Sequence, residues 1–143
     1  MEDRYLYKAK KVDDREWVQG YLIYSFTGVP IIVTEYDHIL MLVTRYEVDP
    51  KTICQCTGLK DKNGKLIWEN DIVAYWDTYS TESGLAEADC IGKVFWDNET
   101  MSFEVTNRLS AESYEVLDEC SVIGNIFDNK ELLESEETEN DRE

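Results

Sequence analysis

The chain has 143 residues, of which 43% are hydrophobic and 12% aromatic, and its formal net charge is −17. This length indicates one domain or two very small ones, with enough apolar residues for a core. The negative charge disfavours direct binding to nucleic acid or anionic lipid, because both repel it. We see neither a secretory signal nor an apolar run that could span a bilayer, and we therefore expect a cytoplasmic protein with reduced thiols.

The negative charge is concentrated in the second half of the sequence. Residues 58–143 carry −15 of the net charge, whereas residues 1–57 carry −2. One interpretation is solubility. The other is a surface that imitates DNA and so occupies a DNA-binding enzyme.

The first half is divided by turn signals into short segments rich in Tyr and β-branched residues, which are typical of strands. Gly20 lies inside one of them and suggests a β-bulge. The last segment is long enough for a short helix, but Val43, Thr44 and Tyr46 favour extended structure. The predicted strands cover residues 5–11, 17–26, 31–34 and 39–46.

Two turns stand in the middle of the sequence. Asn63-Gly64 predicts a type I′ hairpin turn, in which both residues have positive φ. Glu69-Asn70-Asp71 predicts a second turn, in which Asn70 has positive φ and the Asp71 carboxylate accepts backbone N–H bonds. Because this turn explains the two carboxylates, we prefer it to a catalytic acid pair.

The remainder alternates between strands and turns. The polar, small residues of 77–89 predict a long mobile loop. Strands are predicted over 65–68, 72–76, 90–96, 101–105 and 119–126, the last with a bulge or bend at Gly124-Asn125. A short helix follows, with Asp128 or Asn129 as its N-cap, and the acidic tail 134–143 is expected to be disordered. Five or six short strands at close spacing favour a small barrel or sandwich.

Residue types that carry chemistry are sparse. Cys54-x-Cys56 has the wrong spacing for a zinc knuckle or a thioredoxin-type pair, so buried, unliganded cysteines are the preferred interpretation. His38 is the only histidine, and its surroundings favour a surface turn over a general base. We find no phosphate-binding glycine loop. We therefore expect no enzymatic activity, no cofactor and no metal.

Aromatic residues cluster along the strands of the second half. Strand alternation places about half of such rings in a core. The others are candidates for a protein-binding surface beside the 77–89 segment. The candidate residues for that surface are Tyr75, Trp76, Tyr79 and Trp96.

Several motifs occur together at a spacing that resembles the YopX family, small proteins encoded in phages and prophages of Gram-positive bacteria. Asn70 stands where the family usually has Gly, and Cys56 stands where an aromatic residue is common. The matching segments are Trp17–Leu22, Gln55–Gly64, Gly92–Trp96 and Val122–Ile126, followed by Asn129 and Glu131–Leu133.

The resemblance implies an all-β protein with an N-terminal β-subdomain (residues 1–53) and a C-terminal SH3-type small barrel (54–133), ending in a short helical turn and the acidic tail (134–143). It supplies no activity, catalytic residue or cofactor. We therefore expect a phage-derived, non-enzymatic module that binds a protein partner, including another copy of itself as a homo-oligomer. The alternative is an acidic inhibitor that imitates DNA and blocks a host DNA-processing enzyme.

Overall fold

The computed structural model describes residues 5–106, 114–115 and 119–133. For residues 77–80, 87–88 and 114–115 it describes the backbone alone. The described chain is almost entirely β, as expected, and it divides into two compact units, residues 1–58 and 59–143. In chain order the strands are β1 (Tyr7–Lys10), β2 (Trp17–Tyr24), β3 (Pro30–Asp37), β4 (Leu42–Glu47), β5 (Cys54–Lys60), β6 (Leu66–Trp68), β7 (Asp71–Thr81), β8 (Gly84–Asp97), β9 (Ser102–Val105), β10 (Tyr114–Glu115) and β11 (Ser121–Asn125).

The first unit is an antiparallel sheet in the order β4-β3-β2-β1-β5. Its core consists of Ala9, Ile32 and Val48, all fully buried, with partly buried hydrophobic side chains packed around them. The end of β4 returns toward the end of β1, where Lys11 and Val48 form an isolated antiparallel bridge. β5 contains the boundary between the two units and is followed in the strand order by β6.

Gly20 marks the point where β2 changes partner. Residues 17–20 pair with β1, and residues 21–24 pair with β3. The bulge predicted at Gly20 is wrong, because both registers run without a shift. The reason for glycine is close approach: a Cβ at this position would lie 2.2 Å from the carbonyl oxygen of Val33.

The second unit contains an antiparallel sheet in the order β10-β9-β8-β7-β11. Its core is formed by a cluster of buried side chains on one side of this sheet. The order is linear, so the described strands form an open sheet, and the SH3-type barrel stays a prediction. The core residues are Ile67, Val73, Val94, Val105 and Cys120.

The loop predicted over 77–89 is wrong. β7 and β8 pair continuously from Ile72↔Lys93 to Thr81↔Gly84, so only Glu82 and Ser83 connect them. Polar, small residues indicate a loop only when their backbone groups find no partner. Here the antiparallel neighbour supplies the backbone hydrogen bonds.

The end of the described chain follows the predicted bend. β11 shows a register shift between Val122 and Gly124 against β7, which confirms the predicted bulge. The Asn125 side-chain oxygen then accepts hydrogen bonds from the backbone N–H groups of Phe127 and Asp128. One helical turn follows at residues 131–133. The predicted tail 134–143 lies outside the described residues.

Candidate functional site

The predicted turn at Asn63-Gly64 forms a hairpin loop of a different type. Gly64 has φ of 83°, but Asn63 does not have positive φ, so the type I′ prediction is wrong. The N–H of Gly64 donates to the carbonyl of Asp61, and the N–H of Asp61 donates to the carbonyl of Lys65. This is the three-residue loop in which a type I turn is followed by a left-handed glycine.

Asp61 organises this loop from within, since only 5% of its surface is exposed. One carboxylate oxygen accepts the N–H groups of Asn63 and Lys65, both at 2.9 Å, and the other accepts the N–H of Val122, also at 2.9 Å. Burial by itself would raise the pKa of Asp61, but these three N–H donors outweigh it and hold the pKa below its ordinary value. The carboxylate therefore joins the loop to β11 and is not available as a base.

The predicted Glu69-Asn70-Asp71 turn is confirmed. Asn70 has φ of 72°, and the buried Asp71 carboxylate accepts the N–H of Trp68 at 2.8 Å. The backbone of Asn70 also bridges two strands, donating to Val94 and accepting from Ile126. This carboxylate has a structural role, as does that of Asp61.

The residues considered for metal or nucleophilic chemistry are not brought together. Cys54, Cys56, Cys90 and Cys120 are buried and form no disulfide with one another, and the Cys54 thiol donates to the carbonyl of Thr52 at 3.2 Å. His38 is exposed in the turn between β3 and β4. Within residues 5–106, 114–115 and 119–133, no group of three or more His, Cys, Asp or Glu side chains could hold a metal ion.

The four aromatic residues predicted as a partner surface have different environments. Tyr75 packs against the core and donates its hydroxyl to the Thr106 carbonyl at 3.0 Å. Trp76 is 59% exposed and, by strand alternation, lies on the opposite face of the sheet. Trp96 lies on the core face, in edge-to-face contact with Phe103 at 5.0 Å between centroids. Tyr79 belongs to β7, but its side chain is outside the description. Their role in binding stays a prediction.

Sequence reasoning missed a larger set of exposed apolar side chains, in the first unit. We define the hairpin surface as the exposed apolar side chains of β3, β4 and the turn between them. Ile39 is 81% exposed and Met41 is 72% exposed. The signal is present in the sequence as the run Ile39–Val43, but the strand prediction over 39–46 does not say which side chains are exposed. The members are Tyr36, Ile39, Leu40, Met41, Leu42, Val43 and Tyr46.

The turn of this hairpin is rigidly built. The Asp37 carboxylate accepts the N–H groups of Ile39 and Leu40, at 2.9 and 3.1 Å. The Tyr36 hydroxyl donates to the Met41 sulfur at 3.6 Å. Because these contacts fix the backbone of the turn, little backbone entropy is lost when it binds, so this geometry suits a contact surface.

Lysines cover aromatic rings of the same unit, including that of Tyr46 in the hairpin surface. The ammonium groups of Lys8 and Lys10 lie 4.9 and 5.5 Å from the ring centre of Trp17, within the range of cation–π attraction. Lys11 lies 4.7 Å from the ring of Tyr46. Lysines near the start of the chain thus cover aromatic rings. The tip of the hairpin surface, Ile39–Met41, has no such cover among the described contacts.

The fold and these sites define an all-β protein with two antiparallel sheets, turns fixed by buried carboxylates and an exposed apolar hairpin. The chain belongs to the YopX family, since the family model described as YopX protein matches residues 6–134. None of the curated proteins compared with the chain matches it. In the part of the chain that the structure describes, no helix is long and apolar enough to cross a membrane.

Proposed function

We propose that this protein is a non-enzymatic interaction module that binds a protein through the hairpin surface. The observation that carries the proposal is the exposure of seven large apolar side chains on one hairpin. Clusters of large exposed apolar side chains are typical of protein-binding sites. We retain cytoplasmic location and phage origin as parts of the same proposal.

The hydrogen bonds that the buried carboxylates accept support a non-catalytic role. Asp61 and Asp71 are 5% and 2% exposed, and both accept backbone N–H bonds that fix turns. A general base must be free to take a proton from a substrate. His38, the other candidate base, is exposed in a turn, and the sequence around it contains no motif of a catalytic nucleophile.

The test is capture of partners by the tagged chain from lysate of a bacterial host. The variant Ile39→Ser/Leu40→Ser removes two apolar side chains from the hairpin surface. The matched control is Leu85→Ser, because Leu85 is 78% exposed near the start of β8 in the other unit. We expect the double variant to lose the captured protein and the control to keep it. Equal capture by both variants would contradict the proposal.

The charge distribution favours a second candidate, the acidic inhibitor that imitates DNA. Residues 58–143 carry a net charge of −15, which can attract the basic site of a DNA-processing enzyme. A partner held in this way should dissociate at moderate salt, because exposed charges are then screened. Capture that survives moderate salt argues against this candidate.

We also propose that the second unit is completed as an SH3-type barrel. Its support is a set of antiparallel strands that share one core cluster. Nuclear Overhauser contacts that join the outer strands of this unit would establish closure, and their absence in a fully assigned spectrum would refute it.

A further inference from the structure

The outer edge of β4 is the least protected strand edge of the first unit. β4 ends the strand order, with β3 as its one neighbour in the described sheet, and all six of its residues are exposed. The segment Leu42–Glu47 contains neither proline nor lysine, the residues that usually protect an edge. The edge strand β11 is different, because Asp61 and Asn63 contact its residues Val122 and Ser121. A loop therefore covers β11.

The direction of the β4 backbone groups follows from contacts at both ends of the strand. The N–H of Val48 donates to the Pro30 carbonyl, and the Thr34 hydroxyl donates to the Thr44 carbonyl at 3.3 Å. Thr44 and Val48 therefore turn their backbone groups toward β3. Because these directions alternate along a strand, Val43 and Arg45 turn theirs outward.

We propose that a second copy of this chain pairs with β4 in antiparallel fashion, with Thr44 on the two-fold axis. This inference rests on the proposed interaction function and names its partner. Val43 of each copy then faces Arg45 of the other, and their outward N–H and C=O groups form the hydrogen bonds. Leu42 faces Tyr46, which is an apolar cross-strand pair. The pairing is self-complementary, as a two-fold interface requires.

The neighbouring registers are less favourable. Centring the pair on Arg45 places two guanidinium groups opposite each other. It also needs the carbonyl of Glu47, which already accepts the N–H of Val12. Centring the pair on Val43 needs Met41, whose φ of 57° is left-handed and outside strand geometry. Thr44 is the centre of the part of β4 whose edge is free.

The available area suits a stable dimer. The seven side chains of the hairpin surface are each between 36% and 81% exposed. They lie on both faces of the hairpin and at its turn, and a standard interface buries ~800 Å² of each partner, so a second copy has to cover most of them. Backbone pairing along β4 alone would be small, so the apolar tip supplies the area that such pairing lacks.

Disulfide trapping tests the register. The two copies of Thr44 form a non-hydrogen-bonded antiparallel pair, whose Cα atoms are ~4.5 Å apart, within the range that a disulfide spans. Under mild oxidation we expect Thr44→Cys to give a covalent dimer, and Val43→Cys and Arg45→Cys to remain monomers on denaturing gels. The native cysteines do not interfere, because all four are buried. Cross-linking of Val43→Cys or Arg45→Cys, but not Thr44→Cys, would overturn the proposed axis.

Charge replacement tests the pairing without oxidation. Thr44→Lys places two ammonium groups on the axis, and Thr44→Glu places two carboxylates there. We expect wild type to sediment at twice the 16.7 kDa of one chain, each variant alone to sediment as a monomer, and the mixture of the two to dimerise again. Thr27→Lys, in the exposed β2–β3 turn, is the control and should remain a dimer.

The outcomes separate this inference from the proposed function. Wild type that stays monomeric at high micromolar concentration overturns the inference, even if Ile39→Ser/Leu40→Ser still loses a captured host protein. Dimers that persist in Thr44→Lys also overturn it. Dimers that dissociate in both charge variants and form again in their mixture support it, whatever the lysate experiment gives.

Discussion

At the scale of single residues, Asp61 is the clearest case of a side chain that the fold requires in its charged form. Its folded-state pKa lies below the ordinary value of 3.8 because three backbone N–H groups donate to it. Stability from this carboxylate is therefore present above pH 3.8 and is lost as the pH falls through the folded-state pKa. Acid should weaken the contact between the 61–65 loop and β11 before it affects the apolar core.

We predict that Asp61→Asn destabilises the protein by about 2 kcal/mol at pH 7, since an amide offers one acceptor oxygen and presents an NH₂ group to the remaining N–H donors. The variant should also lose less stability than wild type between pH 7 and pH 3. Urea unfolding at both pH values measures this. Asp14→Asn is the control, because Asp14 is an exposed carboxylate with a lowered pKa that bonds the Glu16 N–H and Lys11. A pH dependence equal to that of wild type in Asp61→Asn would refute the assignment.

Asn70 provides a second prediction at this scale, because its φ of 72° is left-handed. Glycine adopts this conformation freely, whereas an alanine side chain costs about 1–2 kcal/mol there. We expect Asn70→Gly, the residue usual in the family, to stay close to wild type and Asn70→Ala to lose about 1 kcal/mol. Thermal unfolding of the two variants side by side is the measurement, and equal losses would contradict the backbone explanation.

These two residues show what the sequence can and cannot supply. The role of Asp71 and the positive φ of Asn70 were predictable, because Asx turns are local. Asp61 was missed, since its third partner, Val122, is 61 positions away in the chain. The type I′ turn was wrong for a related reason: Asn-Gly also fits the three-residue loop, and the Asp61 hydrogen bonds select that loop.

At the scale of elements, the junction of β1, β2 and β3 depends on Gly20. A Cβ there would meet the Val33 carbonyl oxygen at 2.2 Å, which forces the two strands apart. We predict that Gly20→Ala destabilises the protein by at least about 2 kcal/mol, as expected for overpacking. Chemical unfolding measures the loss.

Gly28→Ala is the matched control for this prediction. Gly28 has φ of 88°, but nothing lies within 4 Å of its Cβ position. Only backbone strain of about 1 kcal/mol is then expected. A larger loss in Gly28→Ala than in Gly20→Ala would mean that close approach between β2 and β3 is not the limiting contact.

The β7–β8 hairpin shows why element boundaries were only partly predictable. The strand predicted at 72–76 was right but too short, because Asp77, Thr78 and Ser80 resemble loop residues when read alone. Their pairing partners, Ala88, Glu87 and Leu85, lie beyond the turn in a segment that is itself rich in small and acidic residues. Such a composition gives no clear alternation of apolar and polar residues, so only the register reveals the ribbon.

At the scale of the whole molecule, charge opposes self-association while the hairpin surface favours it. Each copy carries −17, so two copies repel each other at low ionic strength. Pairing through β4 uses backbone hydrogen bonds and apolar side chains, which salt does not screen. Salt should therefore act on the repulsion alone.

We predict that raising NaCl from low to moderate concentration strengthens the dimer by a few fold, as measured by the dissociation constant from sedimentation equilibrium. The acidic-inhibitor alternative predicts the opposite sign for its own complex, since a basic partner is attracted by the same charge and screening weakens that attraction. A chain truncated after Leu133 removes acidic residues without touching β4, and its dimer should depend less on salt than that of the full chain. A dimer that dissociates as salt is raised would show that attraction between opposite charges, and not the β4 edge, holds the copies together.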